Sequence, residues 1–319
     1  MGKYLIRRVL QAFPTLLLLT IIAFGFVTAA PGDVVSAMLD PALLDAGSRD
    51  VLAERRAALG LDQPVPVQYV IWLGHVVRGD LGNSFVRRRP VADMIMERLW
   101  ATMQLGGLAI GLAIAVGVSA GVISALKQYS LVDYAISIFS YGAWSFPNFY
   151  LGLILIYVFA VQLRVLPSAG MLTPGVDTFA DRTKHLILPV TVLSVQFIGI
   201  FARQTRSAML EVMHNDYVMT ARSKGLRERR VIARHVMPNA LIPVVTVIGI
   251  SLPLLITGAI ITEIIFSWSG MGSLTVSAIN ARDYPVVMGI VLVIGVVVVS
   301  VNLLVDVVYA IIDPRIRYQ

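Results

Sequence analysis

Apolar residues run along most of the chain in long, charge-free stretches separated by short polar segments. A helix needs about 20 apolar residues to cross a bilayer. Six stretches approach or exceed that length: Val9–Gly32, Leu99–Leu126, Tyr134–Leu163, Leu186–Ala202, Val236–Thr262 and Tyr284–Val305. The pattern predicts an all-α, polytopic membrane protein with six transmembrane helices. Seven remain open if the third stretch splits near Pro147, but one tilted or kinked helix is the simpler interpretation.

The first stretch follows three basic residues, Lys3, Arg7 and Arg8, as the apolar region of a secretory signal peptide also does. That region usually has about 7–15 residues, whereas this stretch is longer, and Pro31 follows its only suitable small-residue cleavage site. An uncleaved first transmembrane helix is therefore favoured.

The composition excludes a soluble globule. Hydrophobic residues make up 57% of the 319 residues and charged residues 14%, with a mean hydropathy of +0.79, whereas soluble domains carry about 25% charged residues. There are no cysteines, which excludes disulfides, a thiol nucleophile and thiolate metal ligands. The net charge of +7 fits the basic bias of cytoplasmic loops better than nucleic-acid binding.

The charged residues also predict the orientation. With a cytoplasmic N-terminus and six crossings, the inside segments hold 14 of the 26 basic residues but only six of the 19 acidic ones. Because cytoplasmic loops are rich in Lys and Arg, we expect both termini inside. Residues 1–98 would form the first transmembrane helix and an external loop region of short helices and turns. Residues 99–319 would form a five-helix core with a cytoplasmic loop at about 207–238.

That cytoplasmic loop contains the segment DYVMTARSKGLRERRVIARHVMPNALIPV, from Asp216 to Val244. Apolar residues at helical spacing predict a first short helix, and Gly225 then permits a sharp turn; the spaced residues are Leu210, Met213, Tyr217 and Ala221. Basic residues share one face of a second short helix, which Pro238 is expected to end; they are Arg227, Arg230 and Arg234. A helix lying on anionic lipid, or a loop that only fixes topology, remains open.

The same segment resembles a loop in the membrane subunits of ABC importers, which reads E-A-A, three residues, Gly, nine residues, Ile, one residue and Leu-Pro. With Gly225 on that glycine, residues 219–221 fall on E-A-A, and the spacing fits. Only Ala221, Gly225 and Pro238 match by letter. The loop of dipeptide and oligopeptide permeases, D-Y-x-x-T-A-R-x-K-G, is present in full as DYVMTARSKG.

The resemblance to that group extends nearly from end to end. The further similar stretches are YLIRRVLQAFPTL near the N-terminus, GDLGNSF at 79–85, TEIIFSWSGMG at 262–272, RDYP at 282–285 and NLLVDVVYAIIDPRIR at 302–317. Ser269 stands where proline is usual. The chain therefore resembles a B-type permease of a peptide-class importer.

This resemblance implies that several chains work together. The loop would form a coupling helix seated in a groove of a cytoplasmic ATPase. The partners would be a second homologous permease, two ATP-binding-cassette ATPase subunits or domains, and an external solute-binding protein. In this interpretation Tyr217 and Ala221 pack the loop, Gly225 makes the turn, and the basic residues face the ATPase. The implied coupling residues are Asp216, Tyr217, Thr220, Ala221, Arg222, Lys224, Gly225, Leu226, Arg227, Arg230 and Pro238.

The sequence itself carries no motif for nucleotide or metal chemistry. It lacks G-x-x-x-x-G-K-[ST], so ATP and Mg would bind to the partner ATPases, and no cofactor is expected on this chain. Its four histidines show no metal-ligand spacing, and there is no G-x-S-x-G motif. We expect a non-catalytic transport subunit in a bacterial or archaeal cytoplasmic membrane.

Three residues near predicted helix ends are candidates for the translocation path or its external mouth: Glu263, Trp268 and Asn302. Polar side chains at membrane depth are costly and usually face a partner or a path. The alternatives are an interfacial cap for Glu263, an aromatic belt or helix packing for Trp268, and an inter-helix or inter-subunit hydrogen bond for Asn302.

The resemblance favours dipeptides or oligopeptides as the substrate. Nickel chelates, glutathione and haem are alternatives within the same type of importer. An ion-coupled secondary transporter is a more distant alternative, because no acidic residue lies well inside a predicted span.

Overall fold

The computed structural model describes residues 2–29, 57 and 60–312, and most of these residues are helical. In chain order the helices are α1 (Gly2–Ala29), α2 (Val65–Val77), α3 (Val91–Leu126), α4 (Leu131–Ser145), α5 (Asn148–Leu155, continued by the π-helix Ile156–Gln162), α6 (Phe179–Met213), α7 (Asp216–Ser223), α8 (Glu228–Val231, continued by the π-helix Ile232–Val236), α9 (Met237–Ile265), α10 (Met271–Asn280) and α11 (Tyr284–Ile312). The all-α prediction is confirmed. Pro31, Arg315 and Arg317, which entered the arguments on cleavage and orientation, lie outside the described residues.

Five of these helices are long and apolar enough to cross a membrane, and the pair α4–α5 makes a sixth span if it is counted as one. This count agrees with the prediction of six spans. The pair is bent by 106°, however, so the third apolar stretch is not one tilted or kinked helix. Pro147 is the reason, since it precedes α5 and disfavours helical backbone at Phe146, which is extended (φ −83°, ψ 126°). The orientation of the spans stays a prediction.

The described chain divides into two compact units. One has residues 101–269 with 300–312, and the other has residues 2–29, 57 and 60–100 with 270–299. In the first unit α6 is the central helix and packs against α4 and α9. It has 35 residues, which correspond to about 52 Å, and is far longer than the stretch Leu186–Ala202 from which it was predicted. The Thr178 side chain begins α6 by accepting a hydrogen bond from the Asp181 N–H.

Glycines allow α3 and α4 to approach α6 closely. A Cβ added at Gly121 of α3 would lie 2.5 Å from the carbonyl oxygen of Ala202 and 2.5 Å from the Thr205 Cβ. A Cβ added at Gly199 of α6 would lie 2.8 Å from the carbonyl oxygen of Ser140 in α4. Such small residues are typical where transmembrane helices pack backbone against backbone. The three helices therefore form one closely packed body.

In the second unit, two of the motifs quoted above meet. The stretch GDLGNSF enters a short hairpin closed by a bridge between Asn83 and Pro90. The buried Asp283 of RDYP accepts hydrogen bonds from the Ser84 hydroxyl and, at 3.0 Å, from the Phe85 N–H. Residues 60–90 thus contain the short helix α2 and turns, and Asp283 holds the hairpin in place. Residues 91–98, which the sequence assigns to the loop region, already belong to α3.

Candidate functional site

The segment DYVMTARSKGLRERRV forms two short helices between α6 and α9. Helix α6 ends at Met213, and Asn215 begins α7 in extended backbone (φ −73°, ψ 145°). On the underside of α7, Val218 and Ala221 are 0% and 6% exposed. They belong to an apolar cluster that we call the coupling cluster, and its buried members are Ala125, Ala208, Met209, Val218, Ala221, Val231, Val236, Ala240 and Val244. The segment is therefore packed onto α3, α6 and α9 rather than free in solution.

Tyr217 does not pack into the core, in contrast to the expectation from the sequence. Its side chain is 44% exposed, and Val218 takes the buried position. The expected stripe assumed that one helix continues from Leu210 to Ala221, but the helix breaks at His214 and α7 starts with its own register. Ala221 is buried as expected. Tyr217 instead belongs to the surface of the segment.

Gly225 makes the turn between α7 and α8. Its φ is +76°, in the left-handed region where glycine has no Cβ penalty. The Gly225 N–H donates a hydrogen bond to the carbonyl oxygen of Arg222 at 2.9 Å. A Cβ added at Gly225 would have no other described atom within 4 Å. The requirement for glycine therefore comes from the backbone conformation and not from lack of space. Leu226 follows and packs partly buried against the coupling cluster.

The second short helix runs into α9 without the expected stop at Pro238. Helix α8 begins after Arg227 and continues as a π-helix, Ile232–Val236, and α9 starts at Met237. Pro238 lies in the first turn of α9, and the backbone stays helical through Val236 and Met237, so the proline does not end the helix. Val231 and Val236 are 0% exposed, which anchors α8 to the coupling cluster.

An ion pair joins α7 to α8 across the turn. The Arg222 guanidinium donates hydrogen bonds from Nη2 and Nε to the Glu228 carboxylate, at 2.7 Å and 3.2 Å. The hydrogen bond from Arg222 to Glu228 stabilises the charged guanidinium and raises the pKa of Arg222 above its ordinary value. Arg222 was expected to face a partner, whereas here it braces the turn around Gly225.

The outer surface of the segment is exposed and carries a net positive charge. We call it the coupling surface, and its members are Asp216, Tyr217, Thr220, Lys224, Arg227 and Arg230. Among the described residues, no group of three or more His, Cys, Asp or Glu side chains could hold a metal ion. The arrangement is a short, braced helix pair with an apolar underside and a basic outer side, suited to contact with an acidic protein surface.

Of the three path candidates, two are buried and one is exposed. Glu263 lies inside α9, is 0% exposed and accepts a hydrogen bond from the Thr102 hydroxyl at 2.6 Å. Trp268 is 2% exposed, and its indole N–H donates to the carbonyl oxygen of Ala101 at 3.0 Å. Asn302 is exposed on α11. In this conformation Glu263 and Trp268 tie the end of α9 to α3, and a place in the path stays a prediction for all three.

Comparisons with known proteins agree on one family. Residues 117–318 match the model of the binding-protein-dependent transport system inner membrane component, and residues 1–106 match the N-terminal model of the same kind of component. The chain is 43% identical over 320 residues to the oligopeptide transport system permease protein AppB of Bacillus subtilis, with 100% of both chains covered. It is 39% identical over 345 residues to the dipeptide transport system permease protein DppB of Escherichia coli, again with 100% of both covered.

A solved structure shares the fold. An inward-facing structure of the MetNI methionine ABC transporter superposes with a TM-score of 0.56 at 15% identity, covering 69% of this chain and 96% of that chain. The chain is thus a multi-pass permease subunit of the inner membrane, a transport component and not an enzyme. It belongs to the family of binding-protein-dependent transport system inner membrane components.

Proposed function

We propose that this chain is one of two related permeases in an ATP-driven importer of dipeptides or oligopeptides. The observation that carries the proposal is the coupling surface, which is exposed, basic and rigidly attached to the spanning helices through the coupling cluster. Two ATPase subunits or domains would seat against this surface and its counterpart on the second permease. An external solute-binding protein would deliver the peptide, which would cross between the two permeases.

The construction of the segment suits the transmission of movement. A flexible loop absorbs displacement, whereas a helix held by buried contacts and a braced turn moves with whatever it touches. Val218, Ala221 and Val231 fasten the segment to the core, and the Arg222–Glu228 pair fixes the angle at Gly225. Closure of the ATPases on ATP would then shift α6 and α9 with the coupling surface. ATP and Mg would bind only to the ATPases.

The substrate assignment rests on the relatives, which are named oligopeptide and dipeptide transport permeases. Nickel chelates, glutathione or haem would be carried by the same type of machine, because the external binding protein would select the solute. Ion-coupled transport is less well supported, because Glu263, the acidic residue of α9, lies only two residues from the end of that helix. The bias of basic residues supports a cytoplasmic location for the coupling surface and for both termini.

The proposal is tested by purifying the tagged chain from its own membranes and reconstituting what comes with it in liposomes. We expect a second permease and P-loop ATPases in the eluate, and uptake of labelled dipeptide only when ATP is inside and the binding protein outside. Uptake of a nickel chelate, glutathione or haem in place of the peptide would contradict the assignment of peptides as the substrate and leave the importer unchanged. A chain that purifies alone and moves solute under an ion gradient would contradict the importer.

We also expect Glu228→Gln to weaken ATPase recovery only slightly. The pair is partly exposed, with side chains 33% and 54% exposed for Arg222 and Glu228. Such pairs contribute about 0.2–1 kcal/mol, which corresponds to at most about a fivefold change in an association constant. The measurement is the amount of ATPase that co-purifies at low and at high salt. Because salt screens exposed ion pairs, the difference in ATPase recovery between the variant and wild type should be smaller at high salt. A complete loss of the ATPases would show that the brace, not the backbone turn, defines the segment.

A further inference from the structure

An ion pair with a buried carboxylate lies next to the coupling cluster, at the beginning of α4. Asp133 is 2% exposed, and its carboxylate is held from three directions. Arg206 of α6 donates from Nε and Nη2 to its two oxygens at 2.7 Å and 2.8 Å. The Ser124 hydroxyl of α3 donates to Oδ1, and the Tyr129 N–H donates to Oδ2 at 2.9 Å. One carboxylate therefore joins α3, α4 and α6.

The local sequence explains how Asp133 reaches this position. Helix α3 ends at Leu126, and the connection to α4 is so short that Tyr129 adopts a positive φ of 61°. The Ser130 side chain then caps α4 by accepting from the Asp133 N–H. An acidic residue in the first turn of a helix usually faces solvent, where it complements the helix dipole. Here the carboxylate turns inward to Arg206, an arrangement that capping alone does not require.

The pair adjoins the residues that hold the coupling segment. Ser124 precedes Ala125, and Arg206 comes two and three residues before Ala208 and Met209, and all three apolar residues are buried in the coupling cluster. One helical turn before Arg206, the Arg203 guanidinium lies 5.2 Å from the ring centroid of Tyr141 in α4. Two successive turns of α6 are thus attached to α4 just behind the coupling segment, and Gly199 brings the same helices together further along.

The geometry points to Asp133 and Arg206 as positioning residues that transmit movement from the coupling segment to the bent pair α4–α5. This inference rests on the proposed function. Movement of α7 reaches α6 through Val218, Ala221 and Met209. The ion pair then makes α4 follow α6, and the sharp bend at Pro147 lies at the far end of α4. Without the pair, α6 moves while α4 lags, and ATP is hydrolysed without transport. Neither residue touches the substrate.

The test compares transport per ATP hydrolysed in the reconstituted complex of permeases, ATPases and binding protein. Asp133→Asn removes the charge with almost no change of shape. We expect assembly and ATP hydrolysis within about twofold of wild type, and peptide transported per ATP reduced about tenfold, within the 5–150-fold range typical of coupling between sites. The matched control is Asp177→Asn, because Asp177 pairs with Arg182 at the other end of α6, at 2.7 Å, but is exposed. The control should keep the wild-type ratio.

Cross-linking gives a second test, in which a covalent link replaces the ion pair and which does not depend on the behaviour of Asp133→Asn. The chain has no cysteine, so Asp133→Cys with Arg206→Cys gives one defined pair for a short bis-maleimide. Before cross-linking, the double-cysteine variant should transport little peptide per ATP hydrolysed. After cross-linking, the peptide transported per ATP should return toward the wild-type value. A ratio that stays at the wild-type value in Asp133→Asn, or one that does not recover although the cross-link forms, would overturn the inference. A wild-type complex that lacks ATPases or fails to import would instead contradict the proposed function.

Discussion

Gly225→Pro should abolish ATPase recovery and peptide uptake while the chain still inserts into the membrane. Proline fixes φ near −65°, whereas Gly225 has a φ of +76°. Proline also removes the N–H that donates to the Arg222 carbonyl oxygen at 2.9 Å. The turn cannot form, so α7 and α8 lose their fixed angle and the coupling surface is dispersed. We expect at least about a tenfold loss of co-purified ATPase, equivalent to about 1.4 kcal/mol or more.

The matched control for this change is Gly225→Asn. Asparagine is among the few residues that enter the left-handed region readily, and a Cβ at this position meets no other described atom within 4 Å. ATPase recovery and uptake should therefore stay within about threefold of wild type. Gly225→Val, a β-branched residue at the same φ, should fall between the two. Equal losses in all three variants would mean that the side chain is excluded by the ATPase groove, and that the backbone turn is not the cause.

The sequence predicts the parts of this molecule that depend on local chemistry. The apolar stretches give the spans because helix length and hydropathy are properties of neighbouring residues, and the glycine in DYVMTARSKG gives the turn because few other residues accept its φ. Pro147 also indicates where the third apolar stretch could split. It does not indicate the 106° bend, since a proline can end a helix without setting the angle to the next one.

Contacts between distant residues could not be derived in the same way. Arg206 and Asp133 are 73 positions apart, and Ser84 and Asp283 are 199 apart. An aspartate in the first turn of α4 looks like an ordinary helix cap, and only the crossing of α3, α4 and α6 turns it into an ion-pair partner. Tyr217 is an opposite case, in which the sequence predicts a contact that is absent. Its regular apolar spacing with Leu210 and Met213 indicates one continuous helix, but the helix ends at Met213. The sequence does carry one signal for the Asp133–Arg206 ion pair. Asp133 directly precedes the third apolar stretch, and Arg206 follows shortly after the end of the fourth.

Close packing and the Asp133–Arg206 ion pair hold α3, α4 and α6 together at different points along their length. Close backbone contact at Gly121 and Gly199 holds α3 and α4 against α6. The Asp133 carboxylate lies at the end of this contact, where the helices emerge toward the coupling segment. Packing and the ion pair therefore act at different points along the same three helices, and substitutions at each should give different results. Loss of the ion pair uncouples, whereas loss of the close contact destabilises.

Gly121→Leu should destabilise the purified protein strongly. A Cβ at this position would lie 2.5 Å from the Ala202 carbonyl oxygen, 2.5 Å from the Thr205 Cβ and 3.1 Å from the Arg206 backbone nitrogen. None of these atoms belongs to the flexible end of a side chain, so α3 and α6 must separate. Overpacking usually costs about 1–3 kcal/mol, and we expect a thermal transition in detergent lowered by roughly 5 °C or more.

The control for Gly121→Leu is the same substitution at Gly107 of α3, where an added Cβ would meet none of the described atoms within 4 Å. Leucine is the better helix former by almost 1 kcal/mol at either position, so propensity alone would stabilise both variants. Gly107 lies along an apolar groove of about 940 Å³ between α3 and α6, which leaves room for the side chain. The two variants should therefore differ in thermal transition temperature. Gly107→Leu should unfold at or above the wild-type temperature, and Gly121→Leu below it. If both variants unfolded at the wild-type temperature, α3 and α6 would not be in backbone contact at Gly121, and the closely packed body behind the coupling segment would not exist in this form.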